Sequence, residues 1–274
     1  MKKGVPWVQA SRATDARSAP ESGSERELQR IRATYHHYDT DASVRARRNP
    51  SNAGARAIGA ELETALRNVV GTLGFPEGGA VCDVGCGRGK MLAVIGSALL
   101  PCFPRLYGID ILPDRIQAAR RQVPNAQLWV QSGETLPFAD NSIDLLVVAT
   151  VFSSILDSAL SKRVAAEMWR VRAEGGTIIG YDFRYPNPMN PHTRRMGRSH
   201  WRHLFPEASI ETTPIILLPQ LARRLHGFTD VLYPKLRSVP VLRTHYLVKI
   251  SSPEMVRLAA QTRKRESREA GSQL

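Results

Sequence analysis

Apolar residues in the middle of the chain follow two alternating patterns. Short, nearly continuous apolar runs predict strands buried on both faces, and stretches with apolar residues at helical spacing predict the helices between them. Strands that alternate with helices in this way form a parallel sheet with crossover helices on both faces. The predicted strands are AVCDVG, RLYGIDI, AQLWVQ, SIDLLVVAT and GGTIIGYDF, and the predicted helices are GKMLAVIGSALL, PDRIQAARRQV and SALSKRVAAEMWRVR.

The segments on either side of this alternation have a different character. Residues 1–24 are polar and lack a hydrophobic period, so they are predicted to form a disordered tail. Two helical patterns follow within residues 25–75, ERELQRIRATYHHYD and ARAIGAELETALRNVVGTLG. Beyond the core we expect a helix near 191–204, a strand near 208–216, a basic helix around 219–236, a last strand LRTHYLVKI and a basic tail at 253–274.

The first predicted strand runs directly into a glycine-rich loop, VCDVGCGRGK at residues 81–90. Gly85, Gly87 and Gly89 alternate in this loop, and Asp83 precedes them. In an open parallel sheet, ligands bind at the carboxyl ends of the strands, and glycine lets a ligand approach the backbone there. A dinucleotide site of the G-x-G-x-x-G type would need a glycine where this chain has Lys90, so the dinucleotide pattern fails.

The pattern D-x-G-x-G-x-G resembles the nucleotide-binding loop of class I S-adenosylmethionine-dependent methyltransferases. QSGETLPFADNSIDLLVVAT and AEMWRVRAEGGTIIGYDF resemble later segments of that family, although Ser132 replaces a frequent aspartate and Ala173-Glu174 replaces the usual Lys-Pro. The resemblance implies an α/β, doubly wound, Rossmann-like sheet of seven mostly parallel strands with an antiparallel last strand. It also implies an N-terminal helical lid over 25–75, a methyltransferase domain over 76–252 and a helical insertion at about 217–240.

The cofactor implied by the resemblance is S-adenosyl-L-methionine. Asp110 ends the second strand, where a carboxylate can accept hydrogen bonds from both ribose hydroxyls. No catalytic metal is expected, because ATVFSS after the fourth strand lacks the acidic cluster of metal-dependent relatives. The predicted cofactor-binding residues are Tyr38, Asp83, Gly85, Cys86, Gly87, Gly89, Asp110, Ile111, Ser132, Gly133, Glu134 and Thr150.

Two histidines are candidates for a general base, which is needed only where the acceptor must lose a proton. His37 lies in TYHHYD and His245 lies in the last strand, where a packed, hydrogen-bonded strand residue is the alternative for His245. After the fifth strand, YDFRYPNPMNPHTRR offers polar side chains at the ligand-binding edge of the sheet. The predicted substrate-binding residues are Asp182, Arg184, Tyr185, Asn187, Asn190 and His192.

The formal net charge of +13 is concentrated in the C-terminal third, where residues 184–274 carry sixteen Lys and Arg against six Asp and Glu. A basic region attracts nucleic acid, acidic lipid or acidic substrates, and the alternative is an ordinary Arg-rich surface. The insertion at 217–240 either caps the substrate pocket or rests on an anionic membrane. Few aromatic residues lie among the basic ones, which argues against nucleic acid as a partner.

These observations predict a methyltransferase that acts on a small-molecule natural product or a glycan, by O-methylation. TVFSSILD, YDFRYPNPMNP and SHWRHLFP resemble a bacterial branch with such acceptors. An RNA methyltransferase and a catalytically silent binding module of the same fold are the alternatives. Three cysteines without paired spacing, and the absence of a secretory or membrane-spanning apolar run, predict a cytoplasmic protein, as a monomer or homodimer.

Overall fold

Seven strands form one mixed sheet. They are β1 (Ala80–Val84), β2 (Arg105–Asp110), β3 (Gln127–Val130), β4 (Ile143–Ala149), β5 (Arg172–Phe183), β6 (Ser209–Leu217) and β7 (Arg243–Ser251). In this computed structural model, which describes residues 23–42, 51–187 and 190–254, their order across the sheet is β3-β2-β1-β4-β5-β7-β6. The first five strands pair in parallel, and β7 is antiparallel to both β5 and β6. The predicted fold is therefore confirmed.

Helices connect the strands as the apolar pattern indicates. They are α1 (Gly23–Thr40), α2 (Ala53–Gly71), α3 (Lys90–Ala98), α4 (Pro113–Gln122), α5 (Ser158–Val171), α6 (Arg198–Leu204), α7 (Pro219–Ala222) and α8 (Thr229–Arg237). Short 3-10 helices cover Leu100–Cys102, His226–Phe228 and Pro240–Leu242. Residues 1–22 and 255–274, which include most of the predicted tails, lie outside the described part of the chain. None of the helices within the described ranges has the length and hydropathy needed to span a membrane.

The two faces of the sheet are covered by different helices. Side chains of β1 alternate between them, so that Cys82 packs in one cluster with Leu28 of α1, and Val81 packs in the other with Leu66 of α2. α1 and α5 therefore cover one face, and α2, α3 and α4 cover the other. The sheet therefore separates α1 from α2, the two helices described within residues 25–75.

The segment between β6 and β7 lies at the carboxyl edge of the parallel strands. β7 is antiparallel to both β5 and β6, so β5 and β6 run in the same direction and end at the same edge. From there the chain forms α7, α8 and two of the 3-10 helices before it returns as β7, which confirms the predicted helical insertion. Leu217, Ala222, Leu225 and Tyr233 form its small core, and Tyr233 donates a hydrogen bond to Glu61 of α2 at 2.7 Å.

Three element boundaries differ from the prediction. α6 begins at Arg198 rather than near residue 191, because the preceding residues form turns held by the Met196 N–H, which donates to the Phe183 carbonyl at 2.7 Å. β5 begins at Arg172 rather than Gly175, with an irregular register opposite Ile143 and Leu145. The basic helix expected at 219–236 is divided into α7 and α8.

Candidate active site

The glycine loop after β1 turns the chain sharply into α3. Gly85 has φ of 75° and Gly87 has φ of 53°, a left-handed conformation that favours glycine. The Gly85 and Cys86 N–H groups both donate to the Ile109 carbonyl at 2.8 Å. A Cβ atom on Gly85 would lie 2.3 Å from Cγ2 of Val151, whereas a Cβ atom on Gly87 would meet nothing within 4 Å. Gly85 is therefore required by close packing, and Gly87 leaves open space beside the backbone.

Asp110 fixes this loop from the end of β2. One carboxylate oxygen accepts from the Gly87 N–H at 2.8 Å, and the other accepts from the Leu112 N–H at 2.9 Å. Burial raises the pKa of Asp110, and the backbone donors and Arg115 oppose that rise. Asp110 still lines the adjoining cavity, so its remaining lone pairs are available to a ligand hydroxyl.

Asp83 lies beneath the loop, one residue before the end of β1. It is 1% exposed, and neither carboxylate oxygen has a hydrogen-bond partner within the described residues. Burial and the nearby charge of Asp110 raise the pKa of Asp83 to about 7. Because buried polar groups in proteins are nearly always paired, two unpaired carboxylate oxygens at this place mark a site of special chemistry.

A cavity of about 580 Å³ opens beside the loop, within the size range of small-molecule sites. It is bounded by α1, the glycine loop, the end of β2, residues 131–133 and the segment after β4. Thr150 begins that last segment with φ of 55°, an uncommon conformation for a β-branched residue, and its N–H donates to the Tyr181 carbonyl at 2.7 Å. Backbone strain of this kind concentrates at functional sites.

Helix α1 closes the other side of the cavity. Leu28, Ile31, Tyr35 and Tyr38 recur at helical spacing and line it. The Tyr35 hydroxyl lies 2.9 Å from Oγ of Ser154, and the Tyr38 hydroxyl donates to Asn190 at 2.7 Å. α1 is therefore attached to both segments that follow β4 and β5.

An ion pair attaches the end of α1 to the cofactor side. Asp39 pairs with Arg115 of α4 at 3.1 Å and with Arg88 of the glycine loop at 3.6 Å. The Arg115 guanidinium also lies 4.3 Å from the centre of the Tyr35 ring. Sequence reasoning missed Tyr35, Arg88 and Arg115, although the stripe of apolar and aromatic residues in α1 is a readable signal.

Most of the predicted cofactor residues meet at this cavity. Asp83, Gly89 and Glu134 do not line it: Asp83 is buried below the loop, Gly89 begins α3, and Glu134 pairs with Arg163 at 3.1 Å. The residues that do line it are Tyr38, Gly85, Cys86, Gly87, Asp110, Ile111, Ser132, Gly133 and Thr150.

Neither predicted catalytic histidine lines the cavity. His245 is buried in β7, with its ring 5.0 Å from Tyr181 and 4.7 Å from Phe183, and its Nδ1 lies 3.0 Å from Oγ1 of Thr244. Burial lowers the pKa of His245 to about 4. His37 of α1 is not among the residues that line the cavity. The surroundings of His245 are those of a packed, hydrogen-bonded strand residue.

The segment after β5 contributes less to the cavity than predicted. Of the six predicted substrate residues, only Asn190 lines it. Asp182 is buried and accepts from the Ser153 and Phe183 N–H groups at 2.9 and 2.8 Å, and burial raises its pKa to about 6. Arg184 donates to the Pro240 carbonyl of the insertion at 2.8 Å.

The remaining residues of this segment play no part in the wall. Tyr185, Asn187 and His192 do not line the cavity, and residues 188 and 189 lie outside the described chain. Sequence reasoning missed Phe183 and Thr193, which line the cavity on either side of them.

Comparisons with known proteins agree with this geometry. Residues 82–180 match the model of a family described as a methyltransferase domain. Over 120 residues the chain is 28% identical to the demethylmenaquinone methyltransferase of Renibacterium salmoninarum, which covers 44% of this chain and 48% of that protein. Over 126 residues it is 25% identical to a ubiquinone/menaquinone biosynthesis C-methyltransferase of Geotalea daltonii. That match covers 44% of this chain and 52% of the relative. The chain thus spans about half the length of the curated relatives it matches.

A solved structure extends the likeness beyond the matched segment. The geranyl diphosphate C-methyltransferase of Streptomyces coelicolor A3(2), solved with Mg²⁺, geranyl diphosphate and S-adenosyl-L-homocysteine, has a TM-score of 0.55 at 16% identity, and covers 85% of this chain and 98% of that chain. Together, the sheet order and the glycine loop define a class I, S-adenosylmethionine-dependent methyltransferase fold. Within it, residues 82–180 are the segment that matches the methyltransferase-domain family.

The residues present fit the cofactor of this fold. S-adenosyl-L-methionine carries an ammonium group, a sulfonium and a ribose. Asp110 at the end of β2 offers a carboxylate on the cavity wall, and Asp83 of β1 is an unpaired buried acid beneath the loop. Open space beside Gly87 allows a ligand to approach the backbone there. Within the described ranges, no group of three or more His, Cys, Asp or Glu side chains could hold a metal ion.

Proposed function

We propose that this protein transfers the methyl group of S-adenosyl-L-methionine to a small, largely apolar acceptor. The acceptor carries an acidic hydroxyl group, such as that of an enol or of a phenol with a lowered pKa. One observation carries the proposal: a single cavity has two chemically different ends. Asp110 and the glycine loop form one end, and apolar side chains of α1 and of the segment after β4 form the other. Donor and acceptor can therefore share one space, as group transfer requires.

At the cofactor end, Gly85, Gly87, Asp110, Ser132 and Gly133 would hold S-adenosyl-L-methionine. The bound cofactor supplies a methyl group on a positively charged sulfur, which is already activated for displacement. The chain has then to position the acceptor and exclude water from the reacting atoms. Helix α1, attached by Tyr35, Tyr38 and Asp39, performs the exclusion in this proposal.

At the acceptor end, the wall is mainly hydrocarbon. The lining there includes Leu28 and Ile31 of α1 together with Ile155, Leu160 and Phe183. An apolar acceptor gains free energy by burial there. A glycan would leave many hydroxyl groups without partners, which is costly. This contrast favours a small apolar molecule over the glycan that the sequence also allowed.

The titratable groups around the cavity support an acceptor with an acidic hydroxyl group. The cavity lining, as far as the described residues go, includes neither histidine nor glutamate, and Asp110 is at the cofactor end. Ser154 donates to the Thr150 carbonyl at 2.7 Å, so the Tyr35 hydroxyl is the donor in its contact with Ser154. Burial raises the pKa of Tyr35, which keeps its proton in place. An acceptor that ionises without a protein base fits such a site.

Two atoms of the acceptor are candidates to receive the methyl group. Oxygen is the atom predicted from the sequence, and an ionised hydroxyl presents it directly. Carbon is the second candidate, because a phenolate or enolate also carries negative charge on carbon. The Geotalea relative, whose name describes a C-methyltransferase, favours this second candidate.

The experiment is a turnover assay with S-adenosyl-L-methionine and four acceptor sets of similar size: phenols, enols, aliphatic alcohols and oligosaccharides. We expect S-adenosyl-L-homocysteine to accumulate with phenols or enols only, and NMR of the product distinguishes a methoxy from a C-methyl group. Methylation of aliphatic alcohols or oligosaccharides would contradict the acceptor class. Binding of the cofactor without turnover of any acceptor would favour the silent binding module.

A further inference from the structure

The helical insertion between β6 and β7 exposes a concentration of large apolar side chains. Nine such side chains are exposed in the described part of the chain, and five of them lie between residues 228 and 241. Phe228 is 71% exposed, and Val241 is 66% exposed. We call these five residues the apolar patch: Phe228, Val231, Leu232, Val239 and Val241.

The exposure follows from how α8 packs. Thr229 and Tyr233 are buried one turn apart, and they face the core that the insertion shares with α2. Val231, Leu232 and Lys235 therefore occupy the outward side of the helix, with Phe228 preceding them by one turn. The apolar side chains are thus presented to the outside by the same helix that anchors the insertion.

The patch lies among cations. Residues 219–243 contain five Arg and Lys and one acid, Asp230. Arg224, Lys235 and Arg237 are exposed, and Arg237 keeps 52% of its side chain accessible although it pairs with Glu61 at 2.8 Å. Apolar residues mixed with cations match the chemistry of an anionic bilayer surface. A second copy of this surface would bring like charges together.

The insertion lies at the same edge of the sheet as the cavity. It leaves and rejoins the sheet at the carboxyl edge, where the cavity also lies. Arg184 donates to the Pro240 carbonyl at 2.8 Å and directly follows Phe183, which lines the cavity. A surface that binds at the insertion therefore adjoins the wall of the cavity.

We infer that the apolar patch and its neighbouring cations dock this protein on an anionic membrane, with the carboxyl edge of the sheet toward the lipid. The apolar side chains insert into the interface between headgroups and acyl chains, and the cations bind the headgroups. The docking itself requires no methyl transfer. Its purpose, delivery of an apolar acceptor dissolved in the membrane, rests on the function proposed above.

The test is sedimentation of the full chain with vesicles of phosphatidylglycerol and phosphatidylcholine, compared with vesicles of phosphatidylcholine alone. The wild-type protein should bind the anionic vesicles, and binding should weaken as salt is raised. The double variant Phe228→Ser, Val231→Ser should bind at least about tenfold more weakly. The matched control is Leu100→Ser, Phe103→Ser, which removes two equally exposed apolar residues where the chain enters β2, at the opposite edge.

Each outcome decides the proposal. Loss of binding in the patch variant with retention in the control supports it. Equal binding by the patch variant and the wild type overturns it, as does no binding of the wild type to anionic vesicles. A wild-type dimer that the patch variant dissociates would show that a second copy covers the patch. Titration of the same samples with S-adenosyl-L-methionine separates failure of docking from failure of the proposed function.

Discussion

The two ends of the cavity are built in different ways. At the cofactor end, Asp110 and the Ile109 carbonyl hold the glycine loop through backbone N–H groups. At the acceptor end, side chains distant in sequence meet: Tyr35 contacts Ser154 119 residues away, and Tyr38 contacts Asn190 152 residues away. The sheet itself therefore determines the cofactor end, whereas the acceptor end depends on the packing of α1.

The largest effect should come from filling the glycine loop. Gly85→Ala combines a left-handed conformation with a Cβ atom 2.3 Å from Val151, so we expect it to lower the free energy of unfolding by about 2–5 kcal/mol. Gly87→Ala is the matched control, because it has a similar φ but open space, and it should cost about 1–2 kcal/mol. Chemical denaturation measures both. Equal losses in the two variants would mean that close packing at Gly85 is unimportant.

The second effect is a pH dependence of stability at the cofactor end. Folded Asp83, with a pKa of about 7, keeps its proton at pH values where the unfolded chain has lost it. The folded state then binds more protons, so stability should fall as the pH rises from about 4 to about 7, by on the order of 3 kcal/mol.

Asp83→Asn should remove this part of the pH dependence, because asparagine does not titrate. Denaturation of both proteins across the interval, without cofactor, isolates the contribution of Asp83 from that of His245, whose lowered pKa acts in the opposite direction below pH 6.5. Parallel pH profiles for the two proteins would contradict the unpaired state of Asp83.

The third effect concerns cofactor affinity. Asp110→Asn removes the carboxylate charge and one acceptor, so the affinity for S-adenosyl-L-homocysteine should fall about 10–100-fold, equivalent to about 1–3 kcal/mol. The control is Glu134→Gln, since Glu134 was predicted to bind the cofactor but pairs with Arg163 outside the cavity lining. If the two variants lose affinity equally, Asp110 has no special role at the cavity wall.

The smallest effect should appear at the acceptor end. Tyr35→Phe keeps the ring beside Arg115 and removes the hydroxyl that contacts Ser154, at a cost of about 1 kcal/mol. We expect a higher KM for the acceptor and an unchanged affinity for the cofactor. Tyr185→Phe is the control, because Tyr185 does not line the cavity. A weaker cofactor affinity in Tyr35→Phe, with no change in KM, would remove the distinction between the two ends.

The two ends of the cavity also differ in how far they could be predicted from the sequence. The strand order, the glycine loop and Asp110 are predictable because each depends on local pattern and on the position of a strand end. His245 and Arg184 are not, because burial between aromatic rings and a bond to the Pro240 carbonyl depend on strands and loops far away in sequence. The aromatic stripe of α1 is visible in sequence, but the contacts of Tyr35 with Ser154 and of Tyr38 with Asn190 depend on tertiary packing.

The most direct test of the account is calorimetric titration of the full chain with S-adenosyl-L-methionine and with S-adenosyl-L-homocysteine. We expect one site of micromolar affinity for each ligand, weakened in Asp110→Asn and retained in Tyr35→Phe. The absence of binding of either ligand to a folded wild-type sample would contradict the assignment of the glycine loop and Asp110 as a cofactor site.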